Sequence, residues 1–327
     1  METELSGSEN PHSVRLQKAI ADAGTTSRRK AERLIVDGKV KVNGAIVTTL
    51  GTKVNPFVDF IEVDGVPTDP TMVDRIYLLL NKPRGYVTTL IDPEGRKTIL
   101  DLIPTVKTRV FPVGRLDYLS EGLLILTNDG ELANQIMHPS FEVEKIYEVK
   151  IFGVVNDYIL SSLRRGVWLP EGFAKPKSVR LIKQMPGKTW LEFRLNEGRN
   201  REIRRICEAV GVTIDKLKRV AIENVNIENM APGQFDFITK KKLLQLLGMD
   251  AAGNRINHKP FMSATPTQTL KRKYQDRNSL ATHRAYQNFR KENYYQTIEK
   301  LKDKQPKLPT DPSFDDASNA GDVNYPT

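Results

Sequence analysis

Apolar positions repeat with a helical period near the start of the chain and with a strand period soon afterwards. Between residues 13 and 38 they recur every three or four positions, with Ser27 as a candidate N-cap between two such stretches, which predicts a helical hairpin. Residues 39–47, KVKVNGAIV, alternate charged and apolar side chains about Asn43-Gly44, a strong signal for a β-hairpin. The N-terminal part is therefore predicted to be a small unit of two helices and β-strands.

Later apolar runs have the length of strands and predict a larger sheet. The run LLIL at 123–126 is typical of a fully buried strand, and the turn-forming Asn128, Asp129 and Gly130 close it. Further strand patterns occupy residues 76–80, 142–153, 178–183 and 189–195. Residues 235–248 have the pattern of a final strand and helix.

Two local features of this second region receive structural interpretations. Lys82-Pro83-Arg84-Gly85 is predicted to be a basic turn between the strand at 76–80 and the next apolar segment. The two tryptophans could serve as base-stacking platforms, but core packing is the better interpretation for both. They are Trp168 and Trp190.

Composition limits the class of protein without identifying it. The chain has 327 residues, enough for two domains and a tail, and its mean hydropathy of −0.43 fits a globular protein. No apolar stretch is long enough to cross a membrane, and the polar, acidic N-terminus has none of the features of a secretion signal. We therefore expect a cytoplasmic protein without membrane contact.

Metal and cofactor chemistry have no signature in the sequence. The single cysteine, Cys207, cannot form an internal disulfide, and the four histidines show no ligand spacing. The chain also lacks a Walker phosphate loop and a dinucleotide fingerprint. We expect no metal, no cofactor and a monomeric protein.

The net charge of +10 favours an acidic partner, most commonly a nucleic acid. Basic side chains crowd the N-terminal unit, but most of the excess lies in a second segment, residues 251–304, where 12 Lys and Arg stand against 4 Asp and Glu and where basic and aromatic side chains are interleaved. That second segment fits a solvated, disordered tail and equally an RNA-binding tail that forms a helix over 278–304. The candidate phosphate contacts of the N-terminal unit are Arg15, Lys18, Arg28, Arg29, Arg33 and Lys41.

One carboxylate, Asp117, stands between Arg115 and the buried strand run. A carboxylate in such a place must be paired or protonated, because burial of an unpaired charge is costly. Taken alone, Asp117 fits a loop cap or a surface ion pair better than a catalytic group.

Residues 196–211, NEGRNREIRRICEAVG, form the densest basic motif. Apolar residues recur from Ile203 to Val210 with the spacing of a buried helix face. Four arginines therefore crowd the start of a helix, where cations oppose the positive end of the helix dipole. They are Arg199, Arg201, Arg204 and Arg205. The arrangement calls for an anion, which a phosphate or Asp117 could supply.

Two parts of the chain resemble known families. Residues 14–65, which include RLQKAIADAGTTSRRKAERLIVDGKVKVNG, resemble the small RNA-binding module first known from ribosomal small-subunit protein four, which implies recognition of structured RNA by shape and backbone. Residues 13–248 resemble the RsuA-like family of ribosomal RNA pseudouridine synthases, through GRLD, GLLILTNDG and EGRNREIRR. The segment MHPSFEVEKIYEVKIFG, at 137–153, is closer to the large-subunit (RluB-like) branch than to the small-subunit enzyme.

The resemblance implies an α+β fold. A pseudouridine-synthase catalytic domain, built on a mixed, largely antiparallel sheet flanked by helices, would follow the small RNA-binding domain. The expected limits are 1–12 for a flexible N-terminus, 13–70 for the RNA-binding domain, 75–248 for the catalytic domain and 249–327 for a largely disordered basic tail.

The same resemblance implies roles by position. Asp117 matches the catalytic aspartate of the GRLD motif, and Arg204 matches the basic residue that pairs with it. Tyr147 matches a tyrosine that contacts the target base, Ile203 an aliphatic residue that lines the pocket, and Arg115 would fill the space left by the flipped nucleotide. The expected reaction converts uridine to pseudouridine in ribosomal RNA, free or in a pre-ribosomal particle, with Asp117 as nucleophile or as base toward the ribose.

Two other functions stay open. An RNA N-glycosidase would release uracil with the same aspartate, but it usually needs a second carboxylate to activate water, and no motif supplies one. A non-catalytic rRNA-binding or ribosome-assembly factor would not need Asp117, Tyr147 and Arg204, yet all three are present.

Overall fold

The computed structural model describes residues 12–256. Almost all of the predicted flexible N-terminus and of the basic tail, including the predicted helix at 278–304, lies outside the described residues. Within the described residues, no helix has the length and apolarity that a membrane span requires.

The N-terminal unit folds as a helical hairpin against short strands. Its elements are β1 (Val14–Arg15), α1 (Leu16–Asp22), α2 (Arg28–Val36), β2 (Val40–Val42), β3 (Ala45–Ile46), β4 (Lys53–Val54), β5 (Ile61–Val63) and β6 (Val66–Pro67). β1 pairs with β4, and the other four strands form a sheet in the order β3-β2-β5-β6. The predicted helices and hairpin are confirmed, as is the N-cap, because the Ser27 side chain accepts a hydrogen bond from the Lys30 amide.

A second, larger sheet begins ten residues after β6. Its region contains β7 (Tyr77–Lys82), β8 (Phe111–Pro112), β9 (Ser120–Thr127), α3 (Gly130–Met137), β10 (Lys145–Phe152), α4 (Asp157–Arg165), β11 (Val167–Leu169), β12 (Gly172–Ala174), β13 (Ser178–Met185), β14 (Lys188–Leu195), α5 (Glu202–Ala209), β15 (Ile214–Ile222), β16 (Val225–Asn226), β17 (Phe235–Phe237) and α6 (Lys240–Leu247). The strand order is β13-β14-β10-β15-β9-β7-β17, with β16 on β15 and β8 on β9. Only the β9 and β15 pair is parallel within the described part of this sheet, so the expected mixed, largely antiparallel α+β fold is confirmed.

The sheet separates two apolar clusters. One face carries Leu78, Leu124, Val149 and Leu191 and packs against α4 and α5, and the other face carries Leu123 and packs against α3 and α6. The interior strand β9 is apolar on both faces because both are covered, as its unbroken apolar run predicts. The N-terminal unit has a third cluster of its own around α1 and α2.

Two predicted placements are wrong. Lys82 is the last residue of β7 rather than part of a turn, and its side chain is fully buried. Trp168 is not in the core: it lies on the outer face of the β11–β12 hairpin and is 79% exposed. Trp190 is only partly buried, with the ammonium of Lys150 5.6 Å from its ring centre. A hairpin has two faces, and sequence alone does not say which one meets the core.

Gly122 lies in β9 at a position that pairs with both neighbouring strands, β7 and β15. It is in register with Lys82 of β7 and with Arg219 of the parallel strand β15. Its φ is +108°, and a Cβ there would overlap the carbonyl oxygen of Arg219 and lie 2.8 Å from the Arg219 amide nitrogen. Only glycine allows this close approach of two backbones.

We predict that Gly122→Ala lowers the free energy of unfolding by about 3 to 5 kcal/mol, because backbone strain adds to a clash that cannot relax without separating β9 from β15. Urea unfolding followed by circular dichroism measures it. Gly187→Ala is the control: Gly187 also has a positive φ, +69°, but nothing lies within 4 Å of the added Cβ. Equal losses for both variants would show that the close approach of the strands is not what requires glycine at 122.

Candidate active site

Asp117 lies in the tight loop that leads into β9. The Ser120 amide donates to the Asp117 carbonyl at 2.9 Å, which closes the loop just before the strand. On the preceding side, the Thr88 hydroxyl donates to the Leu116 carbonyl at 2.6 Å, and the Leu116 amide donates back to that hydroxyl at 3.3 Å. The backbone of the aspartate is therefore held on both sides.

The side chain of Lys82 holds the same loop through hydrogen bonds. Its ammonium donates to the carbonyl oxygens of Pro83, Asp117 and Ser120 at 3.0, 3.2 and 2.9 Å, so all three of its protons have acceptors. Burial lowers the pKa of Lys82 to about 8, while the nearby carboxylates of Asp117 and Glu121 act in the opposite direction. The sequence pattern predicts only a basic turn at Lys82 and no role beside Asp117, although its place at the end of an apolar strand is a signal.

Two guanidinium groups approach the carboxylate of Asp117. Arg204 Nε lies 3.5 Å and Arg201 Nη1 lies 3.7 Å from Asp117 Oδ2. Arg204 also donates to the Ser120 hydroxyl at 3.1 Å and to the Leu119 carbonyl at 3.4 Å, which ties α5 to the loop. The Asp117 side chain keeps about a third of its surface exposed, 34%. The carboxylate is thus charge-compensated and still open to a reactant.

The four arginines at the start of α5 divide between two kinds of partner. Arg199 pairs with Glu197 at 3.1 Å, and Arg205 Nη1 donates to Glu171 at 2.7 Å. Arg201 is the N-cap residue in a left-handed conformation, with φ at 49°, and points with Arg204 toward Asp117. The sequence predicts that either a phosphate or Asp117 compensates these arginines. Asp117 does lie beside the start of α5, and the two glutamates compensate the other two arginines.

A cavity open to solvent adjoins Asp117. Four of the predicted site residues line it: Arg115, Asp117, Tyr147 and Ile203. Arg204, the fifth, reaches the cavity through its ion pair with Asp117. Tyr147 projects from β10 between strands β14 and β15 and is 9% exposed, whereas Arg115 is exposed. Residues separated by almost ninety positions thus meet at one opening.

A second carboxylate, Glu202, also lines this cavity, and the sequence analysis missed it. Glu202 is buried, its Oε2 accepts from the Arg199 amide at 3.1 Å, and its Oε1 is buried without a hydrogen-bond partner. Burial raises the pKa of Glu202 to about 7, and the Arg199 amide counteracts this. As the first residue of a helix it gave no sequence signal beyond a favourable place for an acid.

The predicted RNA contacts lie on the N-terminal unit. Five are exposed, and Lys18 is partly buried, in an ion pair of 2.8 Å with Asp22. Arg29 and Arg33 are one turn apart on α2, so their side chains share a face. The exposed ones are Arg15, Arg28, Arg29, Arg33 and Lys41. Among residues 12–256, no group of three or more His, Cys, Asp and Glu side chains could hold a metal ion.

Two family models match the chain. Residues 14–58 match the S4 domain, and residues 76–209 match the RNA pseudouridylate synthase family. A solved pseudouridylate synthase is similar in structure, with a TM-score of 0.50 and 26% sequence identity over 71% of this chain and 99% of that one.

Relatives match over more than two thirds of their own length. An RNA pseudouridine synthase of Aquifex aeolicus is 47% identical over 71% of this chain and 93% of its own length. The ribosomal large subunit pseudouridine synthase B of Bacillus subtilis is 43% identical over 71% of this chain and 95% of its own. The protein of the same name from Haemophilus influenzae is 38% identical over 72% of this chain and 69% of its own. The chain therefore belongs to the RNA pseudouridylate synthase family, with an S4 domain before the catalytic fold, and it is an isomerase that converts uridine in RNA to pseudouridine.

Proposed function

We propose that the protein isomerises a specific uridine of large-subunit ribosomal RNA, in the cytoplasm, with Asp117 as the catalytic residue. The choice of RNA is supported by the two relatives named ribosomal large subunit pseudouridine synthase B. The S4 domain, with its exposed arginines, supports a structured RNA as substrate. Free rRNA and a pre-ribosomal particle both satisfy this proposal.

The reaction needs one reactive carboxylate and no external reactant. The bond between C1′ of the ribose and N1 of uracil breaks, the uracil turns, and a bond forms between C1′ and C5. The proton leaves C5 and N1 gains one, so the atoms of product and substrate are the same. Asp117 either attacks C1′ and is displaced when C5 bonds, or removes a proton from C2′ and returns it.

The observation that supports this proposal most directly is the environment of the Asp117 side chain. It is compensated by Arg204 and Arg201, held by a fixed loop and open to a cavity. The two guanidinium groups lie beside one carboxylate oxygen, so the side chain is positioned as a nucleophile or base would need to be. Lys82 adds positive charge near Asp117. Its ammonium binds the backbone carbonyl of Asp117 and does not occupy the carboxylate oxygens.

The other cavity residues fit a nucleobase that has been extruded from an RNA helix. Tyr147 offers a ring for stacking, and Ile203 provides an apolar wall that excludes water from the intermediate. Arg115 at the rim is placed to enter the gap that the extruded nucleotide leaves. We assign these three side chains to substrate binding and Arg204 to the support of Asp117.

We predict that Asp117→Asn abolishes the modification, lowering the rate at least about a thousandfold, because the amide is neither nucleophile nor base. The measurement is a pseudouridine map of rRNA from cells that lack the gene, then carry the wild-type gene, the Asn variant or Asp236→Asn. Asp236 is an exposed carboxylate on β17 and serves as the matched control. Deletion should remove one or more large-subunit sites that wild type and the control restore.

The same map can contradict the proposal in two ways. If no site in large-subunit rRNA disappears on deletion, the proposed substrate is wrong. If the Asn variant restores the site fully, the role of Asp117 is wrong even though the substrate is right.

We predict that Arg29→Ala/Arg33→Ala weakens binding to rRNA and lowers the slope of log affinity against log salt by up to about 2, one for each lost phosphate contact. Filter binding of an unmodified rRNA transcript at several salt concentrations measures it. Lys241→Ala/Lys242→Ala removes the same charge from α6 and is the control. Equal slopes for both pairs would mean that only net charge matters and that α2 does not touch RNA.

A further inference from the structure

The β11–β12 hairpin presents an exposed aromatic pair beside the active-site cavity. Trp168 and Phe173 are paired across the two strands on the outer face, with ring centres 5.4 Å apart and planes inclined by 56°. Trp168 is 79% exposed and Phe173 is 42% exposed. An indole is rarely left so open to water, and an exposed aromatic surface of this kind marks a contact site more often than chance.

The hairpin is held in place by its inner face and its ends. Leu169 and Ala174 point inward and are buried in the main apolar cluster. Gly166, between α4 and β11, allows a close backbone approach, because a Cβ there would lie 2.6 Å from the Ala174 carbonyl oxygen. The exposure of the two rings therefore follows from a packed hairpin and not from a loose loop.

Two contacts connect this hairpin to the arginine-rich start of α5. Arg199 Nη1 donates to the Phe173 carbonyl at 3.0 Å, and Arg205 pairs with Glu171 in the hairpin turn. Arg199 itself lines the cavity that Asp117 adjoins. The aromatic pair thus lies next to the cavity rim, on the side where cations are concentrated.

We propose that Trp168, supported by Phe173, stacks on an unpaired base of the RNA that lies close in the chain to the target uridine. This inference rests on the proposed function. An RNA strand that places its target nucleotide against Asp117 must pass the cavity opening, where Arg199 and Arg201 offer positive charge to its phosphates. Extrusion of one nucleotide also leaves neighbours without a stacking partner, and an indole face offers them one. The ligand is a nucleobase. Trp168 contacts the face of its ring, so the contact does not depend on which base is present.

Loss of the ring should weaken RNA binding without slowing the chemical step. Stacking on one aromatic side chain contributes about 1 to 3 kcal/mol per base, so Trp168→Ala should raise the Kd for RNA about 5- to 150-fold. The single-turnover rate at saturating enzyme should stay within about twofold of wild type, because the ring does not contact the reacting atoms. Trp168→Phe keeps a ring on the hairpin and should restore most of the affinity.

The test uses the full chain and an unmodified transcript of large-subunit rRNA carrying tritium at C5 of its uridines, which is released when C1′ bonds to C5. Binding and tritium release are measured for wild type, Trp168→Ala, Trp168→Phe and Tyr158→Ala. Tyr158 is the control: it is 74% exposed in the first turn of α4, and about 10 Å of helix separates it from the end of α4 that precedes the hairpin. A Trp190→Phe background leaves Trp168 as the one tryptophan, so quenching of its emission by the transcript reports stacking directly.

The outcomes separate this inference from the proposed function. An unchanged Kd for Trp168→Ala, or an emission that the transcript does not quench, overturns the stacking site. A loss of affinity equal to that of Tyr158→Ala, or one that Trp168→Phe does not restore, also overturns it. If wild type releases no tritium, the proposed substrate fails, whereas Kd and quenching still decide whether Trp168 stacks on RNA.

Discussion

The site depends on one buried cation, the ammonium of Lys82. It lies at the end of β7, without solvent contact, and its three protons bind three carbonyl oxygens of the loops around Asp117. A buried ammonium without acceptors would be expensive, so the loop must close over Lys82 for the domain to be stable. The same closure sets the backbone position of Asp117 and the start of β9. Stability of the sheet and placement of the Asp117 carboxylate are thus one requirement.

Positive charges contact both the backbone and the side chain of Asp117. The buried ammonium of Lys82 binds the carbonyl oxygens of the loop, and the guanidinium groups of Arg204 and Arg201 approach the carboxylate from α5. The remaining arginines of the motif, Arg199 and Arg205, pair instead with Glu197 and Glu171. Gly122 lets β9 approach β15 closely, two positions after Ser120. The Ser120 hydroxyl accepts a hydrogen bond from Arg204, which ties α5 to the loop that holds Asp117.

Local chemistry determined which parts of the fold could be predicted from the sequence. The N-cap at Ser27, the hairpin at Asn43-Gly44 and the buried run in β9 are decided by neighbours in the chain, and the structure has all three. The gathering of Arg115, Asp117, Tyr147 and Ile203 at one cavity was expected only from the family resemblance.

The residues that escaped prediction depend on distant partners. Lys82 was placed in a turn because its acceptors at Asp117 and Ser120 are far along the chain. Trp168 was placed in the core because composition does not show which face of a hairpin packs inward. Glu202 gave no signal because its burial follows from the docking of α5.

The central claim is that Asp117 is the group that reacts at the ribose. The most direct measurement is a crystal structure of the protein with a stem-loop of large-subunit rRNA whose target uridine carries fluorine at C5, which blocks loss of the C5 proton. We expect an extruded base against Tyr147 and an Asp117 oxygen bonded to C1′, or within about 3.5 Å of C1′ or C2′. A target base that stays stacked in the RNA, or a ribose that lies closer to Glu202 than to Asp117, would contradict it.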